Sequence, residues 1–192
     1  MEILSVFNKK IRLPKSILNA SFVLYLIFTF TGLGCSSVPS KSIPVLQTVS
    51  YVDLDRYLGK WYEIARYPHS FEEGCFGPTA FYEKLANEKI RVTNQCRQNS
   101  PTGELNEAIG MAEIIDDKSN AKLEVQFFWP FTGNYWIIDL DENYQYAIVS
   151  EPNRQYLWIL SRLPKMEEAL LNKLKRKLTN LGFDLTYLSL SL

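Results

Sequence analysis

The chain has 192 residues with 21 Lys+Arg against 21 Asp+Glu and a single histidine. A balance this even gives no basic face for nucleic acid. One histidine and three cysteines also leave little material for a His- or Cys-rich metal site or a histidine-based catalytic triad.

The first 34 residues are predicted to be a leader rather than part of a fold. Lys9, Lys10, Arg12 and Lys15 make a positive start, and an apolar run from Ile17 to Phe30 follows, broken only by Asn19, Ser21 and Thr29. Thr31-Gly32-Leu33-Gly34 then supplies small residues before Cys35, the layout of a secretory signal. The run is shorter than the ~20 residues a spanning helix uses, which favours a leader over the alternative of a membrane anchor. Gly34-Cys35-Ser36-Ser37 resembles a bacterial lipobox, although Gly32 stands where that motif usually has Leu. The resemblance implies that Cys35 receives a diacylglycerol and a further acyl chain. Two or more chains are what stable anchoring requires. Ser36 after the cysteine resembles the pattern sent on to the outer membrane. Residues 35–50, rich in Ser, Pro and Val and without periodicity, are expected to form a flexible tether, with the folded domain spanning 51–192. Setting the leader aside removes four basic residues and Glu2, so the mature chain carries 17 basic and 20 acidic groups.

After Trp61 the sequence breaks into short alternating segments with turn-rich joints. Strands are predicted at 59–66, 76–85, 88–96, 106–115, 121–129, 134–140, 144–150 and 155–162. Segment 121–129 alternates best, with Leu123, Val125, Phe127 and Trp129 on one face and Lys122, Glu124 and Gln126 on the other. The last three strands are apolar on both faces, so something must cover their outside. A helix beginning at Pro164 supplies it: Met166, Leu170, Leu174, Leu178 and Leu181 form an apolar stripe, and Gly182 is placed as its C-cap. A short strand is expected at 185–190. Eight up-and-down antiparallel strands make an all-β barrel just large enough for one small ligand, with the helix packed outside.

Cys75 and Cys96 flank the predicted hairpin. If its turn centres on residues 85 and 86, positions whose numbers sum to about 171 face each other, as 75 and 96 do. An oxidising envelope then favours a disulfide over the alternative of two free thiols.

Tyr57-Leu58-Gly59-Lys60-Trp61-Tyr62-Glu63-Ile64-Ala65-Arg66, read with Trp158-Ile159-Leu160-Ser161-Arg162, resembles the lipocalin family. The likeness is greatest to its bacterial lipoprotein branch and apolipoprotein D-like relatives. Leu140-Asp141-Glu142-Asn143-Tyr144 departs from the family's Thr-Asp-Tyr. The resemblance implies that Gly59 turns the chain into the barrel, Trp61 plugs the closed end, and Arg162 lies across the indole.

Strand parity names the candidate ligand contacts. If Arg162 meets Trp61, then Leu160, Trp158 and Tyr156 share the inward face. On strand six the wholly apolar set Trp136, Ile138 and Leu140 is assigned inward, against Tyr135, Ile137 and Asp139. Val125 and Phe127 make a third wall. Tyr82 and Asn94 are candidate polar contacts near the mouth, with hairpin twist leaving their facing open. Glu63 shares parity with Trp61; a buried carboxylate there calls for an Arg or Tyr partner. His69 is expected to be a satisfied or solvated loop residue, and adjacent Ser70 makes no dyad with it.

No catalytic set, cofactor or metal ligand is expected. The function this implies is a lipid-anchored binding protein at the outer membrane, facing the periplasm and holding a fatty acid or lysophospholipid. A lipocalin-fold enzyme acting on a bound lipid and a filled-barrel envelope adaptor are the alternatives. A homodimer is compatible with the sequence.

Overall fold

In the computed structural model, residues 43–191 are described, and they belong to one packed unit. The leader and Cys35 lie outside the described residues. A short helix α1 (Leu54–Tyr57) is followed by strands β1 (Gly59–Arg66), β2 (Cys75–Lys84), β3 (Ile90–Gln98), β4 (Leu105–Ile114), β5 (Lys122–Phe128), β6 (Phe131–Leu140), β7 (Tyr146–Ser150) and β8 (Leu157–Ser161). Helix α2 (Glu168–Asn180) and a two-residue strand β9 (Ser189–Leu190) complete the fold. All strand pairs are antiparallel between sequence neighbours, and β1 pairs with both β8 and β2, which closes an eight-stranded barrel. The second half of β1 leaves β2 and pairs with β9 instead. Closure removes the exposed edges that an open sheet would present.

Two apolar clusters divide along the pleat. The inner one contains Trp61, Tyr82, Val92, Leu123, Ile137, Val149 and Leu160. The outer one joins Ile64, Ile148, Leu157 and Ile159 to Leu174, Leu178 and Phe183. Helix α2 is therefore the cover that the doubly apolar strands β6–β8 require. Its end is a full Schellman motif: Phe183 N–H donates to the Leu178 carbonyl at 3.0 Å and Gly182 N–H to that of Thr179 at 3.1 Å. Gly182 supplies the positive φ of 84° that this cap demands. Lys177 ties the helix down by donating to Asp139 on β6 at 2.6 Å.

Several expectations need correction. Helix α2 begins at Glu168 rather than Pro164, because the chain spends residues 163–167 turning from the barrel end onto the outer face. The expected strand at 185–190 is a 3₁₀ turn, Leu185–Tyr187, followed by only two paired residues. The β2–β3 turn is wider than a tight turn at 85/86, with Leu85 N–H bonding the Lys89 carbonyl and Glu88 at a φ of 64°. The register shifts accordingly: Lys84 faces Ile90 and Cys75 faces Gln98, with a bulge between Phe76 and Thr79. Cys75 and Cys96 are nonetheless disulfide-bonded, with Cα atoms 5.3 Å apart, as a diagonal rather than a facing pair. Of the segment read as a tether, residues 43–50 include a buried Leu46 and a Val49 N–H bonded to the Ile137 carbonyl at 3.0 Å. The packed chain thus starts before residue 51.

Candidate ligand site within the barrel

One end of the barrel is sealed. Gly59, at a φ of 89°, turns the chain from α1 into β1 and places Trp61 fully buried on the inner face. The indole N–H donates to the Tyr57 carbonyl at 2.8 Å. Arg162 lies over the ring, 3.8 Å from its centre. From the opposite side of the seal, Arg56 stacks on Tyr144, whose hydroxyl accepts from Asp53 N–H at 2.8 Å.

Above the plug sits a floor of three tyrosines. Tyr135 is hydrogen-bonded to Tyr57 at 2.7 Å and to Tyr82 at 2.8 Å through their hydroxyls. Burial pushes all three phenols up, so they remain neutral and bond only one another. Tyr82 is inward but opposite Gly59, at the closed end and not near the mouth as expected. Beside this floor, inward residues are fully sealed: Val92, Ala112 and Leu123. Farther up they are only half-buried: Ala80, Asn94, Ala108, Val125, Phe127 and Trp158. Inward side chains thus become accessible only in the upper half, between the tyrosine floor and the open rim.

Two β-bulges decide which side chains reach it. On β6 the register shifts between Ile137 and Asp139, so Ile138 and Asp139 both point outward and Leu140 returns to the interior. Trp136 and Ile138, assigned inward from the sequence, belong to the outer cluster under α2. Trp136 instead carries Lys122 over its ring, 4.6 Å from the centre. Asp139 made the Tyr135–Ile137 face look polar, and the bulge removes that residue from it. On β1 the shift between Glu63 and Ala65 keeps Glu63 inward, opposite Leu160, and brings Arg66 inward too, opposite Trp158. Trp158, Leu160, Val125, Phe127 and Asn94 line the interior side; the Asn94 side-chain oxygen Oδ1 is buried without a hydrogen-bond partner.

The mouth holds a polar cluster that sequence reasoning foresaw only in Glu63. Arg66 donates to Glu63 at 2.6 Å and to the Glu72 backbone carbonyl at 3.1 Å. Ser191, beyond β9, also donates to Glu63. Glu72 and His69 enter from the β1–β2 loop. His69 is neither satisfied nor solvated: its side chain is 5% exposed, it stacks on Phe71 at 3.6 Å, and neither ring nitrogen has a partner. Burial, then Arg66, lower its pKa to about 4. Burial, then Glu63, raise that of Glu72 to about 8. Tyr156 and Trp158 continue the aromatic wall, their rings nearly parallel at 5.8 Å. A bulge is the one feature that strand parity does not reveal, and Arg66 depends on one. A separate groove of about 630 Å³ outside the barrel, between Tyr67, Arg154 and Tyr187, is shallow and open to solvent and lacks this convergence of buried polar groups.

A closed eight-stranded cup, sealed by a Trp–Arg stack and covered by one C-terminal helix, defines a lipocalin-class barrel. The Lipocalin-like domain family matches residues 52–191, and the chain belongs to the lipocalins. It is 43% identical over 152 residues to the outer membrane lipoprotein Blc of Vibrio cholerae, covering 79% of this chain and 86% of the relative. It is 38% identical over 144 residues to apolipoprotein D of Mus musculus, covering 69% and 72%. The structure of insecticyanin from the tobacco hornworm Manduca sexta superposes with a TM-score of 0.62 at 22% identity, covering 79% and 86%, a likeness of fold.

Proposed function

We propose that this lipocalin holds one single-chain lipid, a fatty acid or lysophospholipid, in the upper half of its barrel while anchored to the outer membrane and facing the periplasm. The observation that carries the reading is the gradient along the interior, sealed below the tyrosine floor and half-buried around Val125, Phe127 and Trp158 above it. An acyl chain lowered into that space leaves water at roughly 0.8 kcal/mol per buried CH₂. Its polar end then lies among Glu63, Arg66, His69 and Glu72. The mechanism is passive sequestration and delivery, with no covalent step.

Anchoring through a lipidated Cys35 is part of this proposal. The relative in Vibrio cholerae is described as an outer membrane lipoprotein, and this chain carries the lipobox-like Gly34-Cys35-Ser36. Ile43 stands eight positions after Cys35, so even fully extended chain keeps the packed domain within about 28 Å of the bilayer. Detergent-phase partitioning tests it: wild type enters the detergent phase and Cys35→Ala stays in water. Titration of delipidated mature protein with C16–C18 lipids tests the cup, with a saturable change in Trp158 emission at about one ligand per barrel as the expected result. The tyrosine floor favours the filled-barrel adaptor as the second reading, and no saturable response across lipid classes decides for it.

A further inference from the structure

The barrel mouth holds two carboxylates and one guanidinium. Glu63 is bonded to Arg66 at 2.6 Å and accepts from Ser191. Glu72 Oε2 lies 3.5 Å from Arg66 Nε and 3.3 Å from His69 Nε2, and it makes a hydrogen bond to neither. The groups facing Glu72 are Glu63 and Arg66 from β1, His69 from its own loop and the Trp158 indole from β8, while the neutral Tyr82 phenol lies deeper, in the floor. Arg66 is the one cation among them, and Glu63 already claims it. Neutral His69 supplies no second positive charge. Its almost wholly buried imidazole nevertheless faces the site with both nitrogens unpartnered among the described residues, polar groups that a bound molecule would satisfy. Around it stand the rings of Phe71, Tyr156 and Trp158, the surroundings that ammonium groups favour.

We propose that this mouth is a subsite for an ammonium-bearing polar end of an amphiphile, with Glu72 as the counter-ion. The proposal rests on the barrel being a lipid cup and adds the chemistry of the head group. In the empty cup Glu72 keeps its proton because two carboxylates cannot both ionise beside one guanidinium. An ammonium brings the missing positive charge, the Glu72 O–H bond breaks, and the proton passes to solvent. A wholly anionic head group brings a further negative charge to Glu63 and Glu72 with Arg66 already committed. For a lysophospholipid, the ammonium sits among Glu72, His69 and the rings while the phosphate stays toward the rim.

The test titrates delipidated protein with palmitoyl lysolipids that share one tail and carry ethanolamine, choline or glycerol head groups, below their micelle concentrations. The ethanolamine and choline lipids are expected to bind at least tenfold more tightly than the glycerol lipid. Each should release close to one proton at pH 7, read from the dependence of the heat on buffer ionisation enthalpy, and almost none at pH 9. Glu72→Gln should equalise the three lipids and abolish proton release, with the glycerol lipid unaffected. Phosphoethanolamine without a tail should bind at least a hundredfold more weakly than its lysolipid; equal binding would overturn an amphiphile in favour of a free amine. Equal wild-type affinity for all three lipids, or no proton release, overturns the head-group proposal and leaves the cup intact. Tighter lipid binding by Glu72→Gln also overturns it, showing Glu72 to be a stand-in for an anionic ligand. Failure of every lipid to bind overturns the cup itself. Proton release by the wild type keeps the proposal testable should the variant fold poorly.

Discussion

The guanidinium of Arg162 lies 3.8 Å above the centre of the Trp61 indole and donates to the backbone carbonyls of Lys60 at 2.8 Å, Arg56 at 2.7 Å and Tyr57 at 3.1 Å. The Trp61 N–H bonds that same Tyr57 carbonyl. One side chain from the end of β8 thus fastens the start of β1, helix α1 and the plug together. Ring closure depends on this joint, because β1 and β8 are the first and last strands of the barrel.

Arg162→Ala should therefore lower the unfolding free energy by about 2–4 kcal/mol, combining the lost cation–π contact with carbonyls deprived of a charged donor. Arg162→Lys should recover part of this, since one ammonium cannot fork to three carbonyls. Urea denaturation measures both. A loss under about 0.5 kcal/mol for the alanine variant would show the seal to be redundant.

Trp136 and Trp158 separate inside from outside. Trp158→Phe should remove most of the emission change on lipid titration, because that indole faces the barrel interior. Trp136→Phe should leave it intact, because that ring lies under α2 and Lys122. Trp136→Ala should instead cost about 3–5 kcal/mol, the range for truncating a large core aromatic. A lost lipid response in Trp136→Phe would return this residue to the cavity wall.

The contrast between these two tryptophans shows how far the sequence speaks. The alternation of Leu123, Val125 and Phe127 on β5, the apolar stripe of α2 with Gly182 behind it, and the Gly59–Trp61–Arg162 set are each read from residue type at fixed spacing and stand as expected. Trp129 does not, because β5 ends at Phe128 and Trp129 is 85% exposed in the turn beyond it. Parity holds along β8 because β8 has no bulge. It fails on β6 and would fail on β1, since a bulge shifts the facing of every later residue by one and has no residue signature here. Asp139 looked like evidence that Tyr135 and Ile137 face solvent, yet its partner is Lys177, a contact visible only once α2 is docked. His69 and Glu72 were unreadable for a related reason: loop residues have no parity, and only closure of the barrel brings them over Trp158.

The Cys75–Cys96 bond pins the strand that β1 abandons for β9. Closing a loop with a sequence separation of 21 residues contributes on the order of 3 kcal/mol in the chain-entropy model. The double variant Cys75→Ser, Cys96→Ser should therefore unfold at lower urea by about that amount and keep the wild-type order of lipid affinities. A change in that order would give the bridge a part in shaping the mouth.

Stability should fall as pH rises through the mouth's carboxylic acid. Glu72 is raised in the folded chain to about 8, from 4.5 when free. Between those values the folded protein holds a proton that the unfolded chain has released, so its contribution declines with rising pH. His69 works the other way: lowered to about 4, it makes folding more favourable as pH climbs to 6.5, the range in which the unfolded chain gives up its imidazolium proton. The two slopes oppose each other below pH 6.5. Above it Glu72 acts alone, and the unfolding free energy should drop between pH 6.5 and 8 with a slope of at most about 1.4 kcal/mol per pH unit. Urea titrations at half-unit intervals measure this directly. Glu72→Gln should flatten the curve above pH 6.5, whereas His69→Phe should leave that limb in place and remove the rise below it. A wild-type curve flat from pH 6.5 to 8 would mean that Glu72 is ionised in the empty cup, with a compensating charge that the folded chain does not otherwise provide.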